Sequence, residues 1–113
     1  MAYNASHRFA RIAPRKARLV SDMVRGLPVD EALTALDFSK RRGAWYLKSV
    51  LKSAIANAEE QDADIADLVV TRTWVDEGPT IKRFQPKDRG RAHPIRKRTS
   101  HLHVEVGPRT TSD

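Results

Sequence analysis

The chain has 113 residues, no cysteine, and 21 Lys or Arg against 14 Asp or Glu, a formal charge of +7. That length fits one domain with a modest core, and the lack of cysteine excludes disulfides and thiolate metal sites. No apolar run approaches the roughly 20 residues of a membrane span, so the basic excess points to a polyanion, nucleic acid above all.

The first twenty residues are rich in arginine and free of acids, as transit peptides are. A well-punctuated helix begins inside the stretch, which favours a folded basic element, and with no secretory signal the expected compartment is the cytoplasm. Residues 4–13 alternate loosely, with Ala5, His7, Phe9 and Arg11 on one side, and are expected as a short strand. Pro14 stands where a first helical residue belongs, its missing N–H costing nothing there. Over residues 14–25 the stripe of Leu19, Val20, Met23 and Val24 predicts a helix, and Gly26 follows as its C′ residue. Arg15, Lys16, Arg18 and Arg25 occupy the opposite face, where a solvated surface and phosphate contact both fit.

Pro28 opens a second helix over residues 28–36, with Ala32, Leu33 and Leu36 inward. Asp30 and Glu31 in its first turn suit the helix dipole. Ser39 is the expected N-cap of a third and longest helix, residues 40–61. Its buried face is read as Ala44, Leu47, Leu51, Ala54, Ile55 and Ala58, and its exposed side as Lys40, Arg41, Arg42, Lys48 and Lys52. Gly43 is expected to weaken this helix by about 1 kcal/mol relative to Ala. Glu59, Glu60, Asp62, Asp64 and Asp67 read as a solvated acidic exit.

Residues 68–75 (LVVTRTWV) and 101–106 (HLHVEV) read as strands, the second with Leu102, Val104 and Val106 on one face. Between them, residues 82–98 hold Lys82, Arg83, Lys87, Arg89, Arg91, Arg96, Lys97 and Arg98 against one acid, Asp88, and so carry the entire charge excess. With only Phe84 and Ile95 as large apolar residues, this segment cannot build a core. If Trp74 or Val75 pairs near Leu102, the flanks form a hairpin turning beside Arg89 and Gly90. Pro86 and Pro94 lack ladder donors, so pairing is expected to loosen between them, while Gly78-Pro79 reads as a turn signal. Lys82 and Arg83 alternate across the ribbon, as do Arg96 and Lys97, so both faces meet solvent or anion. The arm beyond Gly78 reaches roughly 30 Å. A disordered basic tail is the bland alternative; the strand flanks and the internal position speak against it.

Helices grouped before the long hairpin argue for α+β: three helices packed on a small antiparallel sheet, one domain over residues 1–113, and a protruding basic hairpin at about 76–101. Residues 107–113 read as a frayed tail. His101 and His103 lie two apart but lack an evident third ligand. Asp76 and Glu77 would point to opposite sides of a strand, a poor acid–base pair, and are expected to neutralise arginines at the hairpin base. The five glycines are scattered, with no phosphate-binding loop. Neither an enzyme nor a cofactor is expected. Phe84 alone offers a ring within the basic run, so backbone contact inside folded RNA fits better than single-strand reading. A DNA-bending protein with a basic β-arm, wedging Pro86 or Pro94 between base steps, is the alternative.

Four blocks then carry a resemblance: RIAPRKARLV with Arg25-Gly26, LKSAIANAE at 51–59, VDEGPTIKRFQP at 75–86 and GRAHPIRKRTSHLHVEV at 90–106. Together they resemble the universal ribosomal protein family of the large subunit, number twenty-two, in its bacterial form. The resemblance implies an α+β domain on the outer surface of the large subunit, near the exit of the nascent-chain tunnel. It further implies a hairpin running inward through the 23S RNA, assistance to assembly, and no catalysis. Carried over, the eight hairpin cations match the RNA-contacting region, with Arg15, Lys16 and Arg18 as further candidates. Arg89, Gly90, Arg91 and Ala92 match the tunnel tip. Implied partners are large-subunit RNA, neighbouring ribosomal proteins and the nascent chain, with no membrane and no homo-oligomer. Two positions depart from the family pattern: Lys87-Asp88 before the tip glycine, and Ala13 where a Ser N-cap is common.

Overall fold

A computed structural model describes the backbone of residues 2–87 and 91–108, and the side chains of residues 2–80 and 97–108. The elements are β1 (Tyr3–Ala10), α1 (Pro14–Val24), α2 (Val29–Phe38), α3 (Arg42–Glu60), a 3-10 turn (Ile65–Asp67), β2 (Leu68–Lys87) and β3 (Arg91–Pro108). The strands form one antiparallel sheet in the order β1-β3-β2, and the helices pack on one side of it. This is the expected α+β arrangement. Leu102, Val104 and Val106 of the central strand meet Val20 and Val24 of α1, and Leu47, Leu51, Ala54 and Ala58 of α3, in one buried core. No helix among the described residues is long and apolar enough to cross a membrane.

Two helix faces differ from expectation. On α1 the buried row is Pro14, Ala17, Val20, Ser21 and Val24, whereas Leu19 and Met23 are 47% and 39% exposed. Small Ala17 and Ser21 let the helix lie close, and Thr73 Oγ1 donates to Ser21 Oγ within the contact (3.3 Å). On α3, Tyr46 and Val50 join the core and Ile55 lies at its margin. Ser39 does not cap α3. It ends α2, its N–H returning to Leu36 O, and its hydroxyl accepts from Arg41 N (3.2 Å). The α1 N-cap is Ala13, with no side-chain hydrogen bond. Gly26 (φ +85°) occupies the left-handed position of a tight turn closed by Leu27 N to Val24 O (3.1 Å).

The end of β1 also departs from simple alternation. Its register with β3 shifts between His7 and Ala10, where Phe9 takes φ 59°. The extra residue turns Phe9 outward, to 59% exposure, and brings Ala10 and Ile12 into the core. Phe9 N donates to His101 Nδ1 (3.1 Å) and its ring meets the His101 ring edge-on, which offsets the strained backbone.

The hairpin is one ladder from Leu68↔Pro108 out to Lys87↔Arg91, with Val75 opposite Leu102. Gly78-Pro79 is a bulge in it, not a turn: Glu77 pairs with Ser100 and Thr80 with Arg98, so two residues oppose Thr99. There Thr99 Oγ1 donates to Pro79 O (2.6 Å), and a Cβ on Gly78 would lie 2.5 Å from that oxygen. Pairing does not loosen between the prolines, because Pro86 opposes Ala92 and Pro94 opposes Phe84. Their equal parity puts both at the same class of pair, and in a two-stranded ribbon the non-bonded class needs no inward donor. The arm gives overall extents of 62 × 25 × 24 Å and a radius of gyration of 17.1 Å, against about 13 Å for a compact chain of this length.

Gly43 is a close-approach residue. A Cβ there would lie 3.0 Å from Val20 Cγ2, 3.1 Å from Ile12 Cδ1 and 3.7 Å from Ala17 Cα. Gly43→Ala gains about 1 kcal/mol of helix propensity but overpacks this junction. The expected net effect is a loss of about 1 kcal/mol in urea unfolding; a stabilised variant would show that the contact has room.

Candidate nucleic-acid interface

The β1–α1 connection, the start of α3 and the root of β3 meet because of that small-residue contact and one buried hydroxyl. Ser100 Oγ donates to Ile12 O (2.6 Å), tying the connection to β3 where the arm leaves the body. Around this junction lies a cleft of about 760 Å³, walled by Arg11, Lys16, Arg41, Arg42, Lys97 and Arg98, with Ile12, Ala13, Leu19 and Gly43 between them. Three segments far apart in sequence thus deliver six cations to one concavity whose lining holds no acid.

None of the six has an ion-pair partner among the described residues. The acids there pair elsewhere: Asp22 with Arg25 (2.7 Å), Asp37 with Lys48, and Glu105 with Arg72 (3.8 Å). Arg42 alone has a local contact, with Nη2 3.3 Å from Tyr46 Oη and its guanidinium 5.8 Å from that ring. Six converging like charges repel in the free protein, and a polyanion removes the repulsion. Arginine forks and lysine ammoniums in a concave wall are suited to phosphate oxygens arriving from several directions.

Of the residues singled out from the sequence, Lys16, Lys97 and Arg98 line the cleft, and Arg15 is exposed outside it. Arg18 has a structural partner, donating through Nη2 to Val75 O (3.1 Å); Arg25 likewise donates to Thr73 O (2.8 Å). Together with Gly26 N to Val70 O and Val70 N to Leu27 O (both 2.9 Å), they close the free edge of β2. Lys82, Arg83, Lys87, Arg91 and Arg96 sit on the paired ribbon, with Lys82 opposite Arg96 and Lys87 opposite Arg91. Ala92 lies at its distal end, opposite Pro86. Arg89, Gly90 and Asp88 lie outside the described residues. Arg11, Arg41 and Arg42 were not predicted site residues; the only signal was the Lys40-Arg41-Arg42 run, which reads as a solvated helix start.

The histidines have other work. His103 Nδ1 lies 2.8 Å from Ser6 Oγ and its ring stacks on Trp74 at 4.9 Å. Its Nε2 is 3.0 Å from Asp76 Oδ2, too oblique for a hydrogen bond. Asp76 therefore faces His103, not the arginines expected of it.

With the fold and the cleft in place, the comparison with known families is decisive. The family described as Ribosomal protein L22p/L17e matches residues 5–107. The chain belongs to this family. It is accordingly a structural constituent of the large ribosomal subunit, in a family that is structural and not enzymatic, working in translation within the cytoplasmic ribosome. The L22p/L17e match spans β1, all three helices and nearly the whole of β3, so body and arm belong to one family unit.

Replacing Arg41 and Arg42 together by Ala should lower the slope of log K against log salt for ribosomal RNA by about 1.5. Arg15→Ala should change it by less than half as much. Equal slopes for both variants, measured by filter binding across a salt series, would remove the cleft from the footprint.

Proposed function

We propose that the chain binds the large-subunit RNA through one continuous cationic surface, the cleft leading onto the arm, and that the arm's tip lines the nascent-chain tunnel. The observation that carries this reading is the continuity itself. Lys97 and Arg98 belong both to the cleft wall and to the first positions of the arm. A phosphate backbone held in the cleft is thereby led along the ribbon, whose cationic positions fall on both faces of the ladder.

The body provides a rigid platform and the arm provides reach. Opposed cations such as Lys82 and Arg96 disfavour the isolated ribbon, and surrounding RNA phosphates convert that cost into binding. Embedded on both faces, the arm contributes to assembly by crosslinking RNA segments distant in sequence. Neighbouring ribosomal proteins meet the body, and the nascent chain passes the tip near Arg89, Gly90, Arg91 and Ala92.

Three measurements test this. The full-length chain should co-sediment with large subunits through a high-salt cushion. Replacing Arg96, Lys97 and Arg98 by Ala should flatten the salt slope by about two units. A photoreactive residue at Ala92 should crosslink to a stalled nascent chain; a subunit carrying this protein but yielding no such adduct would remove the tip from the tunnel wall. The division of labour has its own check. Replacing residues 82–96 by an Asn-Gly turn should leave helix content and cooperative melting intact, and loss of the cooperative transition would make the arm part of the folding unit.

A further inference from the structure

The α2–α3 connection carries the two most exposed large apolar side chains among the described residues. Phe38, the last residue of α2, is 83% exposed, and Trp45, in the first turn of α3, is 70% exposed. Between them stand Lys40, Arg41 and Arg42 in succession. The nearest acid, Asp37, is already paired with Lys48, and that pair draws the end of α2 alongside the first turns of α3. Trp45 is braced edge-on by Tyr46 (5.0 Å, 76°), and Tyr46 is itself braced by Arg42.

Leaving two aromatic rings in water forfeits burial free energy, so an occupant is required to account for them. The charges identify it. A protein surface seated here would have to be strongly acidic, whereas rings interleaved with unpaired cations match the two halves of a nucleotide. Bases stack on rings while phosphates meet Lys40, Arg41 and Arg42. Arg41 and Arg42 also belong to the cleft wall, so this turn continues the cationic surface. A duplex hides its base faces, and only unpaired nucleotides can offer them.

We infer that Phe38 and Trp45 form a stacking site for unpaired RNA bases at the mouth of the cationic cleft. This rests on the RNA-binding reading above and adds to it a class of ligand: a single-stranded or bulged segment. The site differs from the arm in kind, since the arm meets backbone charge and this turn meets base faces.

The chain has two tryptophans, and the second, Trp74, is clamped between the Arg72 guanidinium (4.8 Å) and the His103 ring (4.9 Å). A full-length Trp74→Phe variant therefore reports Trp45 alone. An oligoadenylate of about twelve nucleotides should quench that fluorescence, and a blunt RNA duplex of equal length should not. In the otherwise unaltered chain, Phe38→Ala and Trp45→Ala should each weaken oligoadenylate binding about fivefold or more, with the salt slope unchanged. Both side chains are exposed, so the variants should keep the parent circular dichroism. Unchanged affinity, or equal quenching by the duplex, overturns the stacking site while RNA binding stands. Weak binding of both RNAs with a flat salt slope overturns the RNA-binding reading as well. In assembled subunits, a diazirine side chain at Ser49, one turn beyond Trp45, should yield a nucleotide adduct; a peptide adduct would make this a protein-docking face and overturn the inference.

Discussion

Two buried hydroxyls hold the point at which the arm leaves the body. Thr99 fixes the bulge by bonding across to Pro79 O, and its neighbour Ser100 reaches the opposite way to Ile12 O. Adjacent residues on a strand point to opposite faces, so one clamps the ladder and the other clamps the ladder to the β1–α1 connection. Both bonds are buried, and breaking either leaves a carbonyl without a partner in a dry site, a cost of about 1–3 kcal/mol. The cleft depends on the same junction, since Lys97 and Arg98 can meet Arg11 and Lys16 only if the arm starts here and runs in this direction.

The cations divide into two populations by what they touch. Arg18, Arg25, Lys48 and Arg72 are held by carbonyls or carboxylates of the body, and they serve the fold. Arg11, Lys16, Arg41, Lys97 and Arg98 have no anionic partner among the described residues. The first group shows why a helix face rich in arginine is not by itself a binding face. Guanidiniums on α1 reach outward carbonyls of β2, and with the strand-like segment at Gly26 and Leu27 they shield an edge that would otherwise invite another strand.

Much of this was legible in the sequence, for identifiable reasons. Proline at position 14, glycine at 26 and the Leu102-Val104-Val106 alternation are local signals, and the elements they predict are present. The hairpin register followed from a count, because the opposition of Val75 and Leu102 fixes all that follows up to the next bulge. What was not legible is what depends on contacts between distant segments. Leu19 and Met23 fit a helical stripe as well as Ala17 and Ser21 do, and only the closeness demanded by the sheet chooses the smaller pair. Gly43 looked like a weakness and is the contact that seats α3 against α1. The cleft was invisible for the same reason: its walls come from residues 11–16, 41–43 and 97–98, and no window contains them all.

The two-against-one bulge at Gly78 and Pro79 has a consequence for how such an arm can change. Beyond it each residue has one partner, so a single insertion in one strand inverts every position between itself and the tip. Adding one residue to both strands preserves pairing but still swaps the faces of the distal half. Only two residues in each strand keep pairing and faces together, and that lengthens the arm by about 7 Å. The reach of this ribbon can therefore drift only in coarse steps. A tip that must arrive at a fixed place in its surroundings is held there by arithmetic as well as by chemistry.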